Sequence, residues 1–320
     1  MLGGGICHVL NALIIKRAGL APAPREAMIA PGLNRKILCL SVLMLVSVCS
    51  FAHVDLELQI EEINSRIELE GPHAELFLKR GNLYRRHEDW DKAASDFKRV
   101  RELEPGHPQI DWLEGLYKID SKQWQKGDEL LSRYLESNQE YGPAYHVRAL
   151  ARWKLGSPAA AAKDYGSAIY LSNQPSPSLY RAQVISLYTA TPDDLEEASA
   201  VVDAGLNRFP REISLMGLGV DLALVQSDVR HALQYMMRLP SRLDGLLQWK
   251  FRRASWACIN KDRNAASSGF KEVLSNVSEK EIRRAGTFDL SIETVSALAE
   301  APEPEKCIEA INSLLHRLEP

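Results

Sequence analysis

Cysteine is scarce in this 320-residue chain, and none of it is spaced for a metal. The five cysteines stand at positions 7, 39, 49, 258 and 307, and no two show the separation of two or four residues that zinc sites use. No sign of charge dominates: 39 basic and 42 acidic residues give a net charge of −3. That balance, with no basic stripe, argues against a nucleic-acid binder. Glycine and proline are not in excess, which excludes long disordered tracts over most of the chain. Catalytic signatures are missing as well. There is no G-x-S-x-G elbow, no phosphate-cradling G-x-x-x-x-G-K and no G-x-G-x-x-G after a strand. "GLGVD" at 217–221 falls inside a helical pattern, where its glycines permit close packing. These absences point away from an enzyme and toward a binding protein without a cofactor.

The first 52 residues differ from the rest. Arg35 and Lys36 precede Ile37 to Val48, a run of twelve apolar or small residues, and Ser50 and Ala52 follow. A short basic segment, an apolar core of about 7–15 residues and a small-x-small exit make a secretory signal peptide. A bilayer span takes about 20 residues, so an uncleaved anchor or a buried core helix fits less well. Val48 before Cys49 argues against a lipid anchor. Residues 28–52 are therefore read as the signal peptide and residues 1–27 as an upstream extension without a fold. Cleavage after Ala52 removes Lys16, Arg17, Arg25, Arg35, Lys36 and Glu26, leaving 34 basic and 41 acidic residues and a net charge of −7. The expected location is periplasmic or secreted, with no membrane insertion after cleavage. Cys258 and Cys307 then remain, 49 residues apart, and could pair in an oxidising compartment.

A period of 34 residues organises the chain from Gly81 onward. Tyr84 stands three residues after that glycine, Ala93 twelve, Phe97 sixteen, Val100 nineteen and Pro105 twenty-four. Gly115, Gly127, Leu131 and Tyr134 repeat the pattern, as do Ala149, Ala161, Tyr165 and Ala168. A fourth unit begins one residue early at Ala182. "TATPD" delays its second half to Ala198, Val202, Gly205 and Pro210. Two further units start at Val220 and Ala254. The physical reading is a repeated helical hairpin. Small residues let two helices approach, a large residue fills the gap between neighbouring hairpins, and proline ends the second helix. Ser157–Pro158 and Thr191–Pro192 are expected N-cap pairs.

On Gly81, Tyr84, Ala93, Phe97 and Pro105 these units resemble tetratricopeptide repeats, from about Glu75 to Val273. Lys118 and Val220 depart from the pattern. The resemblance implies an all-α fold, a right-handed helix-hairpin solenoid of about six repeats with terminal capping helices. Residues 53–73 would cap one end around a helix at 55–69. Repeats would fill 74–280, and 281–320 would form a degenerate seventh hairpin. It also implies a concave face lined by the first helix of each hairpin. Facing that groove would be the residue after each small one (Asn82, Leu116, Leu150, Gln183, Asp221, Ser255), and the residue three before it (Leu78, Trp112, His146, Leu179, Gly217, Phe251). One turn further on come Arg85, Ile119 and Trp153. The expected partner-binding residues are Asn82, Arg85, Arg86, Trp112, His146, Trp153, Gln183 and Phe251, and the expected partner is a protein or an extended peptide. Trp112 and Trp153 fit packing between helices equally well. Leu78 stands where a carboxylate clamp wants a lysine.

Arginine precedes the small residue in four units, at Arg80, Arg148, Arg181 and Arg253. Asp96 and Asp164 lie sixteen residues after Arg80 and Arg148. That fixed phase favours a bridge within each hairpin over a row of arginines awaiting an acidic ligand, and such a bridge is worth little if exposed. No two histidines have the i, i+4 spacing of a zinc helix. His53 alone suggests a metal, since cleavage would give it a free amine, and amine plus imidazole can chelate copper. Copper handling is the second reading, after a non-enzymatic scaffold of the bacterial envelope.

Overall fold

The computed structural model describes residues 55–276 and 291–320. The extension at 1–27, the signal-peptide segment and His53 lie outside the described residues. Among the described residues there are helices and no strand, and no helix is long and apolar enough to cross a membrane.

The chain divides into two units, residues 1–62 and 63–320. Residues 55–70 are helical (α1). Within the first unit, Gln59 Nε2 donates to the Asp55 carboxylate at 3.0 Å. The second unit holds six helix pairs: α2 Ala74–Arg86 with α3 Trp90–Leu103, α4 Ile110–Asp120 with α5 Trp124–Ser137, and α6 Gly142–Lys154 with α7 Pro158–Leu171. Then come α8 Pro177–Ala190 with α9 Glu196–Arg208, α10 Ile213–Val225 with α11 Val229–Met237, and α12 Leu247–Ile259 with α13 Arg263–Ser275. Two further helices close the chain, α14 Ile292–Glu300 and α15 Pro304–Leu315. Even numbers from α2 to α12 are thus first helices, and each second helix packs on its partner and on the next first helix.

The periodic residues form the contacts between paired helices. Ala93, Ala161, Ala198, Ala232 and Ala266 are buried, and so are Phe97, Tyr165, Val202 and Phe270 four residues on. Glycine leaves room where the helices come closest in the first two hairpins. A Cβ on Gly81 would lie 3.1 Å from Phe97 Cε1, and one on Gly115 3.0 Å from the Leu131 side chain.

The turns within the hairpins share a backbone device that side chains do not announce. Glu88, Lys122, Gly156, Ser227 and Lys261 all have φ between 58° and 72°, the left-handed region where only glycine is free of steric cost. The next residue's N–H reaches five residues back in each case: Asp89 to Tyr84 at 2.9 Å, Gln123 to Lys118 at 2.7 Å, Ser157 to Arg152 at 2.9 Å, Asp228 to Ala223 and Asp262 to Ala257 both at 2.8 Å. This is a Schellman ending, which satisfies carbonyls left open at a helix C-terminus. The same residue then opens the following helix. Asp228 accepts from His231 N–H at 2.9 Å and Asp262 from Ala265 N–H at 3.0 Å. Ser157 holds the N-cap position before Pro158, without a side-chain cap bond. The fourth hairpin differs, with a longer turn from 191 to 195. Thr191 is not an N-cap there. It ends α8, its Oγ1 donating to Leu187 O, and Asp194 accepts from Glu196 N–H at the start of α9.

The arginine–aspartate phase is a brace, and a buried one. Arg80 Nε and Nη2 donate to the two Asp96 oxygens at 2.8 and 2.7 Å, and Arg148 does the same to Asp164 at 2.8 Å twice. The third donor reaches back into the preceding helix, from Arg80 Nη1 to Asn64 Oδ1 at 2.6 Å and from Arg148 Nη1 to Ser132 Oγ at 3.2 Å. Each guanidinium therefore ties three consecutive helices. Asp164 is only 3% exposed, so the pair is not the weak surface bridge that exposure would make it.

The end of the chain leaves the pattern. α14 packs on α13 as a further first helix would, but α15 barely touches α14 and lies instead on α12 and α10. Because α15 covers it, α10 is buried all round, Leu215 through Leu224 without a gap. Residues of units four to six and of α14 and α15 form one continuous apolar core, whereas units one to three have smaller clusters.

Candidate functional site

The face built by the first helices falls into two parts. Its N-terminal part, on α2, α4 and α6, is open. Asn82 Oδ1 accepts from Arg85 Nε at 2.9 Å, and Arg85 Nη1 donates to Asp120 on α4. Asn82 thus orients an arginine that links the first two units. Arg86 beside it is exposed and makes no ion pair among the described residues. Both arginines line an open cavity of about 710 Å³ between the turns of the first two hairpins, with Trp90 and Lys122.

Further along, Trp112 is half-buried. Its ring meets Tyr141 edge-on at 5.2 Å and Tyr134 at 5.8 Å. Trp153 is half-buried against Ala149, Tyr165 and Leu179. Both tryptophans therefore carry packing and present an edge at once. His146 is exposed, 6.0 Å from the Tyr165 ring, and desolvation by its surroundings holds its imidazole below the ordinary value of 6.5.

The C-terminal part of the face is occupied by α15. Cys307 on α15 forms a disulfide with Cys258 on α12, the Cα atoms 6.8 Å apart. Tyr188 Oη on α8 donates to Asn312 Oδ1 at 3.1 Å, and its ring lies 5.1 Å from that of His316. Lys154 at the end of α6 pairs with Glu319 at 3.1 Å. Under this helix Asp221 and Ser255, expected on the groove, are buried.

Two expected contact residues are placed differently by this arrangement. Phe251 is 1% exposed and packs on Phe270 with ring centres 5.7 Å apart, so no partner reaches it. The reason is general to its row. Leu78 and Leu179, also three residues before a small one, are buried too, and only Trp112 and His146 of that row reach the surface. Gln183 is half-buried with its amide against α7, where a Cβ on Gly166 would lie 2.8 Å from Nε2. Among the described residues no group of three His, Cys, Asp or Glu side chains is placed to hold a metal.

Cys258 was not among the expected contacts, yet it stands four residues after Ala254. That is the row of Arg85, Ile119 and Trp153. A cysteine on a row expected to face the groove was the available signal.

No protein-family model matches the chain, and no curated protein matches it. Solved structures do. The C-terminal part of a TPR repeat-containing protein from Cytophaga hutchinsonii is similar at a TM-score of 0.58 and 14% identity, over 73% of this chain and 95% of that one. Looser likenesses include PilF of Pseudomonas aeruginosa, at 0.48 and 15% identity over 66% of this chain and 94% of that one. Another is a tetratricopeptide repeat protein from Parabacteroides merdae, at 0.45 and 15% identity over 81% and 97%.

Proposed function

We propose that this chain, which has the tetratricopeptide-repeat fold, is a non-enzymatic scaffold that binds a protein or peptide on the open first-helix face of its first three units. One observation carries the reading: the same face, three units further on, already holds a polypeptide segment, the chain's own α15. A surface that seats one amphipathic helix by apolar packing has the chemistry to seat another. Asn82, Arg85, Arg86, Trp112, His146 and Trp153 supply polar, cationic and aromatic contacts there. The mix suits a peptide with acidic and apolar residues. The Cys258–Cys307 disulfide supports an oxidising compartment, in keeping with a periplasmic or secreted protein released by cleavage after Ala52.

Site-specific crosslinking tests the binding surface. A photoreactive residue at His146 or Leu116 should capture the same protein from envelope extract. One at Lys98, on the opposite side of the first hairpin and 80% exposed, should not. Equal capture at all three positions would count against the reading. N-terminal sequencing of the mature protein tests the location, and a start other than His53 would remove the cleavage assignment.

A further inference from the structure

Arg181 breaks the rule that governs its counterparts. Arg80 and Arg148 each donate to an aspartate three residues after the buried alanine of the second helix, and to a polar side chain in the preceding helix. In the fourth unit both acceptors are gone. Ala198 is the buried alanine, so Val201 stands at the aspartate's place, and Gly166 stands where Ser132 does one unit earlier. Arg181 nonetheless remains, half-buried, with no hydrogen bond or ion pair among the described residues. Burial without a counter-charge pushes its guanidinium pKa down. A desolvated, unpaired cation costs stability, and the fold gains nothing visible from it.

The side chain lines a partly open cavity of about 360 Å³ among α8, α10, α12 and α15, a volume at the low end of small-molecule sites, about 300–1,000 Å³. The other charged groups around it each have a partner. Asp221 accepts from Arg252 Nε at 2.8 Å and Nη2 at 2.5 Å, and Arg252 lies over the Trp249 ring at 4.8 Å. Glu212 accepts from Ser214 N–H at 3.3 Å and Oγ at 2.9 Å. Of these four charged side chains Arg181 alone has no hydrogen-bonded or ionic partner among the described residues. The rest of the wall is apolar, from Leu218, Leu314, Leu315 and Leu318.

We infer that this cavity binds a small monocarboxylic acid with a branched or aromatic apolar body, its carboxylate on Arg181. A single unpartnered guanidinium can hold one carboxylate, its fork donating to both oxygens. A doubly charged phosphate or sulfate would meet Asp221 and Glu212 without a second free cation. The site lies under the covered part of the first-helix face, separate from the proposed peptide surface, and it stands or falls independently of that reading.

Calorimetric titration of the oxidised full-length protein with isocaproate tests this. Saturable binding of one molecule per chain is expected, with isocaproamide and sulfate weaker by roughly ten- to hundredfold, the worth of a charge-assisted hydrogen bond. Arg181→Met should abolish binding to the same degree while leaving the melting temperature unchanged or higher. Val201→Asp should also abolish it, because it restores the missing counter-ion in register with Asp96 and Asp164. No saturable binding of isocaproate, equal binding of the amide, or equal binding by Arg181→Met would each overturn the assignment. So would a marked loss of stability in Arg181→Met with Val201→Asp still binding.

Discussion

Replacing Cys258 and Cys307 by serine should release the last helix without disturbing the first units. The disulfide closes a loop with a sequence separation of 49. In the chain-entropy model a loop of that length restrains the open state by about 4 kcal/mol. Without it, α15 is held by the buried side chains of Ala310, Ile311, Leu314 and Leu315 and by the Tyr188–Asn312 bond to α8. Hydrogen exchange followed by mass spectrometry reads the difference directly. Peptides covering Pro304–Leu315 should lose protection by up to about a thousandfold, the same 4 kcal/mol expressed as a ratio. Stability in a stack of repeats is a sum of local and nearest-neighbour contributions, so peptides from α2 to α6 should exchange as before. Unchanged protection of α15 would mean that packing alone holds it. A uniform loss from α2 onward would mean that the two parts of the face are energetically one. Either result would refute the reasoning.

Lys122→Gly should stabilise the protein by about 0.5–1 kcal/mol in urea unfolding, because glycine carries no steric penalty at φ 60°; a lower midpoint would contradict the turn geometry. Asp164→Asn should cost about 3–5 kcal/mol by leaving Arg148 and Arg152 facing a neutral amide. The double variant Arg148→Met/Asp164→Leu should cost less than that single change, and additive losses would argue against a coupled brace. His146 should titrate below 6.5 by NMR. Since the unfolded chain then takes up the proton first, its contribution to stability is complete above pH 6.5 and lost as pH falls below it. His146→Gln should remove that slope; a titration at 6.5 would leave no slope to remove, and one above 6.5 would reverse its sign.

The hairpins could be read from the sequence because their contacts repeat at one period. Gly81, Ala93 and Phe97 must be small, small and large wherever two helices cross at that distance, so chemistry and spacing coincide. The turns were legible only at Gly156. Glu88, Lys122, Ser227 and Lys261 adopt the same backbone conformation with residues that do not advertise it, since main-chain hydrogen bonds hold them there. Pairing of Arg80 with Asp96 followed from phase, but its burial did not, because exposure depends on the neighbouring helices. The open first-helix face was legible in its N-terminal half alone. Docking of α15 is a long-range event without a period. Two local marks accompany it: a cysteine on the outward row at 258, and α10, apolar on every side, which a helix with one free face would not be. Phe251 was misplaced because its row lies at the boundary between face and core, where packing of the individual unit decides.

The five left-handed turns bear on how such a chain diverges. Their information is stored in the main chain: two hydrogen bonds per turn set the angle between the helices, and the side chain at the pivot is free to drift. A hairpin built this way can exchange most of its letters and still hand the next hairpin the same starting direction. That is consistent with a chain that matches no family model yet shares its fold with a protein at 14% identity. The inheritance here is of geometry, and relatives of this chain are better sought by the recurrence of that pivot, 34 residues apart on either side of the fourth hairpin, than by the residues standing on it.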